Sequence, residues 1–175
     1  MEIEIRQEKP EDYTLVYQVN EKAFGQDSEA KLVEALRKNK EVFVPELSLI
    51  ALYKEQVIGH ILFTKINILK TDNQFQESLA LAPMAVLPQM QLKGIGSSLI
   101  KEGLKKARDL GFTSVIVLGH PDYYPKFGFI PASDYNIKTT FEVPENAFMA
   151  IELTKGALKE NAGTVCYPKE FENVS

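Results

Sequence analysis

The chain has 175 residues, of which 45% are hydrophobic and 25% charged, and its formal net charge at pH 7 is −4. This length is enough to bury a substantial core, so we predict a single domain over residues 1–175 with the composition of an ordinary globular protein. The negative charge argues against a general role in binding nucleic acid or an anionic membrane surface, and we expect neither as a partner.

The N-terminal residues, MEIEIRQEKP, are charged and contain no apolar segment, so we expect no signal peptide. The longest weakly charged run begins at Ser78, is interrupted by Pro83 and Pro88, and is too short to span a bilayer. The single cysteine, Cys166, cannot form an internal disulfide or a site built from several thiolates, as is typical of a reducing compartment. We therefore predict a cytoplasmic location.

The first third of the chain predicts a strand and two helices. Alternating charged and apolar residues predict a short strand over residues 2–6, and Pro10 then opens a helical stretch. The predicted apolar face of this helix consists of Leu15, Val16, Val19 and Phe24. A second helix is predicted over residues 28–37, with Ser28 as its N-cap. Its inward-facing residues are Leu32, Val33 and Leu36.

The middle of the chain predicts strands followed by one long helix. Apolar residues 47–53 and 57–69, joined by a turn, predict a hairpin, and an apolar run at 79–87 predicts a central strand buried on both faces. A helix follows and closes at Gly111. Its residues at helical spacing are Ile95, Leu99, Ile100, Leu104, Ala107 and Leu110.

The remaining segments predict further strands. Residues 113–119 have the pattern of a buried strand, residues 120–133 that of an aromatic-rich connection with one helical turn, and residues 136–143 and 147–153 that of two more strands. A short C-terminal extension is predicted after about residue 156. This order of elements predicts an α/β protein in which helices flank a mixed central sheet.

The segment QLKGIGSSL, residues 91–99, leads from the predicted central strand into the long helix. The first N–H groups of a helix lack intrahelical acceptors and lie at the positive end of the helix dipole, so they favour an anion. Glycines at the start of the helix let the backbone approach such a ligand closely. The segment is not a P-loop, because no Lys-Ser or Lys-Thr follows the glycines. Nor is it a Rossmann fingerprint, because Leu99 stands where the third glycine belongs. An ordinary strand-to-helix turn remains the alternative.

Read as Q-x-x-G-x-G, residues Gln91, Gly94 and Gly96 resemble the acyl-CoA signature of the GNAT superfamily, the acetyl-CoA-dependent N-acetyltransferases. MAVLP before the loop resembles the central strand of that family. YPKFGF, which begins at Tyr124, resembles a second family landmark, a tyrosine four residues before a Gly-Phe pair. The wider run LGHPDYYPKFGFIPAS resembles the YhbS-like branch. The resemblance implies a GNAT-type acyl-CoA N-acyltransferase fold.

The same resemblance implies how acetyl-CoA, the co-substrate, would bind. The backbone of Met84, Ala85 and Val86 would pair with the pantetheine arm, with the Met84 N–H a candidate to polarise the thioester carbonyl. The loop would hold the pyrophosphate through its backbone, so a leucine is tolerable where many relatives have a small residue. The loop residues are Gln91, Leu92, Lys93, Gly94, Ile95, Gly96 and Ser97.

The distribution of charge agrees with a bound polyanion. Cations gather in this segment of an otherwise acidic chain, where they would attract the phosphates of CoA. They are Lys93, Lys101, Lys105, Lys106 and Arg108. The alternative is that cations late in a helix complement its dipole, which accounts for the last three but not for Lys93.

The implied reaction is acyl transfer from acetyl-CoA to a primary amine by direct attack in a ternary complex, with no metal. The acceptor would be an unidentified small-molecule or peptide amine, and a homodimer is allowed. Tyr124 would protonate the departing CoA thiolate. A lysine-like amine is neutral in only about one molecule in 2,500 at pH 7, so a base or a proton-conducting water chain matters.

The base is where the resemblance stops. Ala80 stands where members of the family that act on lysine often have a glutamate. His120 is our candidate base because its unperturbed pKa is near 6.5, with capping of the turn at Pro121 as the alternative structural role. The lesser candidates are His60, for which a satisfied strand histidine is the favoured interpretation, and Glu77 and Asp72 in or near the loop before the central strand.

Two other functions compete with this interpretation. A CoA-binding sensor of the same fold would bind without turnover, because a fold does not by itself establish an activity. A dinucleotide-binding oxidoreductase is the weaker rival, since the third glycine is missing.

Overall fold

The computed structural model describes residues 1–160 and 162–173. Its helices are α1 (Tyr13–Phe24), α2 (Ser28–Lys38) and α3 (Ile95–Asp109). Its strands are β1 (Glu4–Gln7), β2 (Phe43–Tyr53), β3 (Gln56–Lys70), β4 (Phe75–Val86), β5 (Ser114–Leu118), β6 (Ile130–Pro131), β7 (Ile137–Thr139), β8 (Phe148–Glu152) and β9 (Gly163–Cys166). In these residues no helix is long and apolar enough to cross a membrane.

The strands form one mixed sheet in the order β1-β2-β3-β4-β5-β8-β6. Neighbours along this path are antiparallel except β4 and β5, which run parallel. Strand β9 pairs antiparallel with residues 67–70 of β3 and parallel with β7. The predicted mixed sheet flanked by helices is confirmed.

Helices cover both faces of the sheet, and the alternation of side chains along β2 shows why. Leu49 and Ala51 belong to the core that includes the apolar face of α3. Ile50 and Leu52 point to the other face and pack with residues of α1 and α2. A strand buried on both faces is apolar at every position rather than at every second one, which explains the continuous apolar runs in the sequence.

The predicted hairpin and the long helix form as expected, but two details near the N-terminus are wrong. Val16 and Val19 of α1 are buried, whereas Leu15 and Phe24 are exposed, because the helical repeat turns them away from the core. Ser28 is the first residue of α2 rather than its N-cap. Asp27 takes the cap position, since its carbonyl accepts the hydrogen bond from the Lys31 N–H.

The C-terminal third also differs from the prediction. The strand expected over residues 136–143 is limited to the short β7, and most residues from Thr139 to Pro144 are at least partly exposed. The segment after Gly156, predicted as an extension, contains β9, which is hydrogen-bonded into the main sheet. Leu158 is fully buried beside it. This segment is therefore part of the folded core, and it brings the C-terminal part of the chain back to β3.

Candidate active site

The parallel strands β4 and β5 separate partway along their length. In the described chain their pairing is limited to Leu79 and Ala80 of β4 with Val115 and Ile116 of β5. Beyond this point β5 continues beside β8 while β4 continues beside β3. A cavity of about 430 Å³, here named the strand cavity, lies at this gap and is lined by β4 from Ala80 to Met84. The separation leaves one edge of β4 available to a ligand.

A second cavity, of about 500 Å³, lies under the glycine segment and is named the loop cavity. All the residues predicted to bind acetyl-CoA line it except Lys93, which lies on the same loop. Met84 and Phe24 line both cavities, so the two cavities meet at these side chains. The structure thus brings the predicted strand and loop residues to one continuous surface.

The loop has an unusual backbone at two positions. Leu92 and Gly94 have φ values of 63° and 81°, both in the left-handed region. Gly94 is the N-cap of α3 and adopts the left-handed conformation without cost. At Leu92 the same conformation brings a strain of roughly 1–2 kcal/mol, because leucine has a Cβ. The Leu92 side chain is also fully exposed, so no packing compensates for the strain. A glycine at position 92 would adopt the same φ angle without this strain.

Two side-chain contacts hold the loop against the ends of β4 and the aromatic connection. The Gln91 amide nitrogen donates to the Val86 carbonyl over 3.1 Å, which ties the loop to the last residue of β4. The Tyr123 hydroxyl lies 3.3 Å from the Ser97 Oγ in the first turn of α3. A Cβ at Gly96 would lie about 3.1 Å from both Met84 and the Tyr123 hydroxyl, so this glycine permits their close approach.

Tyr124 is buried and lines the strand cavity. Its ring packs edge-on against Phe129, with ring centroids 5.6 Å apart. The ring also lies directly over Gly119: a Cβ at that position would be 2.3 Å from the Tyr124 Cε2 atom, so only glycine leaves room for the ring. Burial raises the pKa of the phenol to about 12. No hydrogen bond to its hydroxyl is present within the described residues, so this donor is free to serve a ligand in the cavity.

His120 lies outside both cavities and is exposed. Its Nδ1 accepts a hydrogen bond of 3.2 Å from the Asp122 N–H, and its carbonyl accepts one from the Tyr123 N–H. These hydrogen bonds match the structural role considered for His120 from the sequence, which was to cap the turn at Pro121. His120 is close in sequence to Tyr124 but is not positioned on the strand cavity.

The lesser base candidates are also away from the cavities. Asp72 accepts a hydrogen bond from the Gln74 N–H in the turn between β3 and β4, and Glu77 is exposed near the start of β4. His60 is fully buried. Its Nδ1 accepts from the Asn20 amide over 3.2 Å, and its Nε2 lies 2.9 Å from the Ser48 Oγ. His60 is thus the satisfied strand histidine that the sequence favoured.

Several cavity residues were not predicted from the sequence. Lys126 lines the loop cavity with its ammonium 4.3 Å from the centre of the Tyr123 ring, and so supplies a cation beside the predicted pyrophosphate loop. The predicted cluster of helix cations lies on exposed positions of the loop and α3. The far wall of the strand cavity is aromatic, and its residues are Phe141, Tyr167 and Phe171. These residues are scattered in sequence and carry no local motif.

Within the described residues, no group of three or more His, Cys, Asp or Glu side chains is placed to hold a metal ion.

Comparisons with known proteins agree with this architecture. The family described as "Acetyltransferase (GNAT) family" matches residues 6–129. The uncharacterized N-acetyltransferase YjhQ of Escherichia coli K12 is 38% identical over 135 residues, which cover 77% of this chain and 74% of YjhQ. The uncharacterized N-acetyltransferase YhbS of the same strain is 32% identical over 168 residues, covering 95% of this chain and 97% of YhbS.

Two solved structures extend the likeness to three dimensions. The crystal structure of YhbS from Escherichia coli in complex with CoA superposes with a TM-score of 0.89 at 30% identity, covering 97% of this chain and 92% of that one. A GNAT family acetyltransferase from Brucella melitensis in complex with acetyl-CoA gives a TM-score of 0.78 at 31% identity, covering 97% and 98%. The resemblance to GNAT enzymes and to YhbS is confirmed: the chain belongs to the GNAT family of N-acetyltransferases and has their fold.

Proposed function

We propose that this protein transfers an acetyl group from acetyl-CoA to a primary amine, with both substrates bound at once. The observation that carries the proposal is the meeting of the loop and strand cavities at Met84 and Phe24, beside the free edge of β4. One ligand that fills the loop cavity and continues along β4 would present its reactive end to the strand cavity. Complexes of two relatives with CoA or acetyl-CoA support this occupant.

In this proposal the loop cavity holds the pyrophosphate and the edge of β4 holds the pantetheine arm. The first N–H groups of α3 belong to Ile95, Gly96 and Ser97, which have no intrahelical acceptors. The helix dipole adds partial positive charge at the same place. Lys126 supplies a full charge beside them. The backbone of residues 84–86 would pair with the amides of the pantetheine arm.

Tyr124 is the proposed donor to the CoA sulfur. The neutral amine nitrogen attacks the thioester carbonyl, the C–N bond forms and the C–S bond breaks, and the sulfur leaves with the electron pair of that bond. The nitrogen loses one proton to solvent, and the thiolate takes up one proton from solvent to become the free thiol. A phenol with a pKa of about 12 is a weak acid, and transfer of its proton to a thiolate of pKa about 8.5 would cost roughly 5 kcal/mol in water. Tyr124 therefore acts mainly as a hydrogen-bond donor, while burial of the thiolate in the strand cavity raises its affinity for a proton.

Acetyl-CoA binding tests the first half of the proposal. At a hundred times its dissociation constant, acetyl-CoA should raise the free energy of unfolding by about 2.7 kcal/mol, measured as a shift of the thermal transition. NAD at the same concentration is the control ligand. A shift with NAD and none with acetyl-CoA would contradict the assignment of the loop cavity.

Turnover tests the second half. Tyr124→Phe should slow thiol release from acetyl-CoA by at least tenfold while leaving acetyl-CoA affinity nearly unchanged, because the ring still packs and only the hydroxyl is lost. Tyr53→Phe, in β2 and outside both cavities, is the matched control. Equal rates for the Tyr124→Phe variant and the unchanged protein would remove Tyr124 from the mechanism. Binding without any turnover would favour the sensor function.

A further inference from the structure

The strand cavity is mostly apolar and aromatic. Beside the aliphatic residues of β4, β5 and α2, it is lined by aromatic rings from four separate parts of the chain. These residues are Phe24, Tyr124, Phe141, Tyr167 and Phe171. The last three form a continuous wall, with ring centroids 5.4 Å apart between Phe141 and Tyr167 and 5.3 Å apart between Tyr167 and Phe171. This surface is suited to a flat apolar body.

Glu29 of α2 is the only charged residue among those described that line this cavity. Both of its carboxylate oxygens lie within hydrogen-bond distance of the Gln26 Nε2, at 3.0 and 3.2 Å. No ion pair to Glu29 is formed within the described chain. A carboxylate has about four acceptor positions, so Glu29 keeps about half of its capacity for a cationic donor. The cavity therefore combines one anchor for a positive charge with a wall of rings.

The single carboxylate and the aromatic wall together favour amines with one positive charge and an apolar body. A primary ammonium group can hydrogen-bond Glu29 and lie against aromatic faces, which also attract cations. A second positive charge on the acceptor would find no second carboxylate among the described residues that line the cavity, and burying a charge without a counter-charge is unfavourable. Polyamines and other molecules with several charges are disfavoured for this reason. An uncharged aromatic or aliphatic body, in contrast, would bury its surface against the rings.

Resting on the N-acyltransferase function proposed above, we infer that the acceptor is a primary amine on an apolar, aromatic body. Glu29 would bind this amine as its ammonium ion, and the nitrogen would attack the thioester after it loses one proton to solvent. Met84 and Glu29 line the same cavity, so an amine anchored there shares the space into which the thioester would project. Glu29 is a binding residue that determines specificity.

The test compares two amines on the full chain, with acetyl-CoA binding measured first. 2-Phenylethylamine carries one charge on an aromatic body, and 1,4-diaminobutane carries two charges without a ring. Thiol release should have a kcat/KM at least tenfold higher for 2-phenylethylamine. Glu29→Gln should raise the KM for 2-phenylethylamine by roughly ten- to a hundredfold without changing acetyl-CoA affinity, since a charge-assisted hydrogen bond is lost. Glu34→Gln, an exposed position of the same helix, should leave both constants unchanged.

The outcomes separate this inference from the function on which it rests. Absence of acetyl-CoA binding would overturn the proposed function itself. With acetyl-CoA bound, equal or better use of the diamine, or an unchanged KM in Glu29→Gln, would overturn the inference and leave the acyltransferase function in place. Binding of acetyl-CoA with no thiol release from either amine would also overturn the inference.

Discussion

Mild acid should destabilise the fold through His60. The ring is fully buried and its pKa is lowered to about 3, first because burial penalises the charged form and then because the Arg37 guanidinium repels it. Geometry adds to this effect, since the Asn20 amide donates to the Nδ1 and a proton there would face another donor. Glu8 lies 4.0 Å from the Nε2, but its carboxylate is already paired with Arg37 at 2.8 Å.

The sign and size of the effect follow from these values. In the unfolded chain a histidine has a pKa of about 6.5 and binds a proton as the pH falls below that value, whereas the folded ring stays neutral down to about pH 3. The unfolded state therefore gains protons that the folded state does not, and stability decreases between about pH 6.5 and pH 3. Between pH 7 and pH 5 the expected loss from this one group is about 2 kcal/mol.

The assay is urea denaturation at half-unit intervals from pH 7 to pH 5. The salt-bridged Asp12 contributes little in this range, because its ordinary pKa of 3.8 in the unfolded chain is already below pH 5 and Arg6 lowers the pKa further in the folded state. In His60→Gln the decrease in the free energy of unfolding between pH 7 and pH 5 should be about 2 kcal/mol smaller than in the unchanged protein, even if the variant is less stable at every pH. His120→Gln, at an exposed histidine, should keep the full dependence. The same dependence in His60→Gln as in the unchanged protein would refute the reasoning.

Two further substitutions test how the cavities are built. Leu92→Gly should raise the free energy of unfolding by about 0.5–1 kcal/mol, measured by urea denaturation, because it relieves a left-handed backbone at an exposed side chain. Lys93→Gly, where φ is not positive, should lower the same quantity, and a loss in both would argue against strain at Leu92. Gly119→Ala places a Cβ within 2.3 Å of the Tyr124 ring, so thiol release should fall by tenfold or more while acetyl-CoA affinity is retained; an unchanged rate would show that the ring position does not matter.

Most of the residues that line the loop cavity could be grouped from the sequence, because they lie close together along the chain. The apolar run of β4, the loop and the first turn of α3 are consecutive in the chain, and their patterns depend on neighbours only a few residues away. The order of residues along the chain was therefore sufficient to assign Gln91, Leu92 and residues 94–97 to one surface. The left-handed φ of Leu92 was not predicted, because leucine itself gives no sign of that conformation.

The lining of the strand cavity could not be predicted because it depends on tertiary pairing. The short segment β9 has little strand signal of its own, and its partner is residues 67–70 of β3, almost a hundred positions earlier. That pairing brings Tyr167 and Phe171 to the cavity. Phe24 was predicted to be in the core. The helical repeat instead places it beside the buried face of α1, where it is exposed and lines both cavities at their junction. Glu29 has no sequence signal that separates it from other surface glutamates.

Because β9 returns to β3, the two cavities draw on different lengths of the chain. The described residues that line the loop cavity end at Lys126, whereas the strand cavity needs Phe141, Tyr167 and Phe171 as well. Every described residue that lines the loop cavity is therefore synthesised before any of these three aromatic residues. Substitutions at the three aromatic positions change the lining of the strand cavity and leave the residues that line the loop cavity as they were.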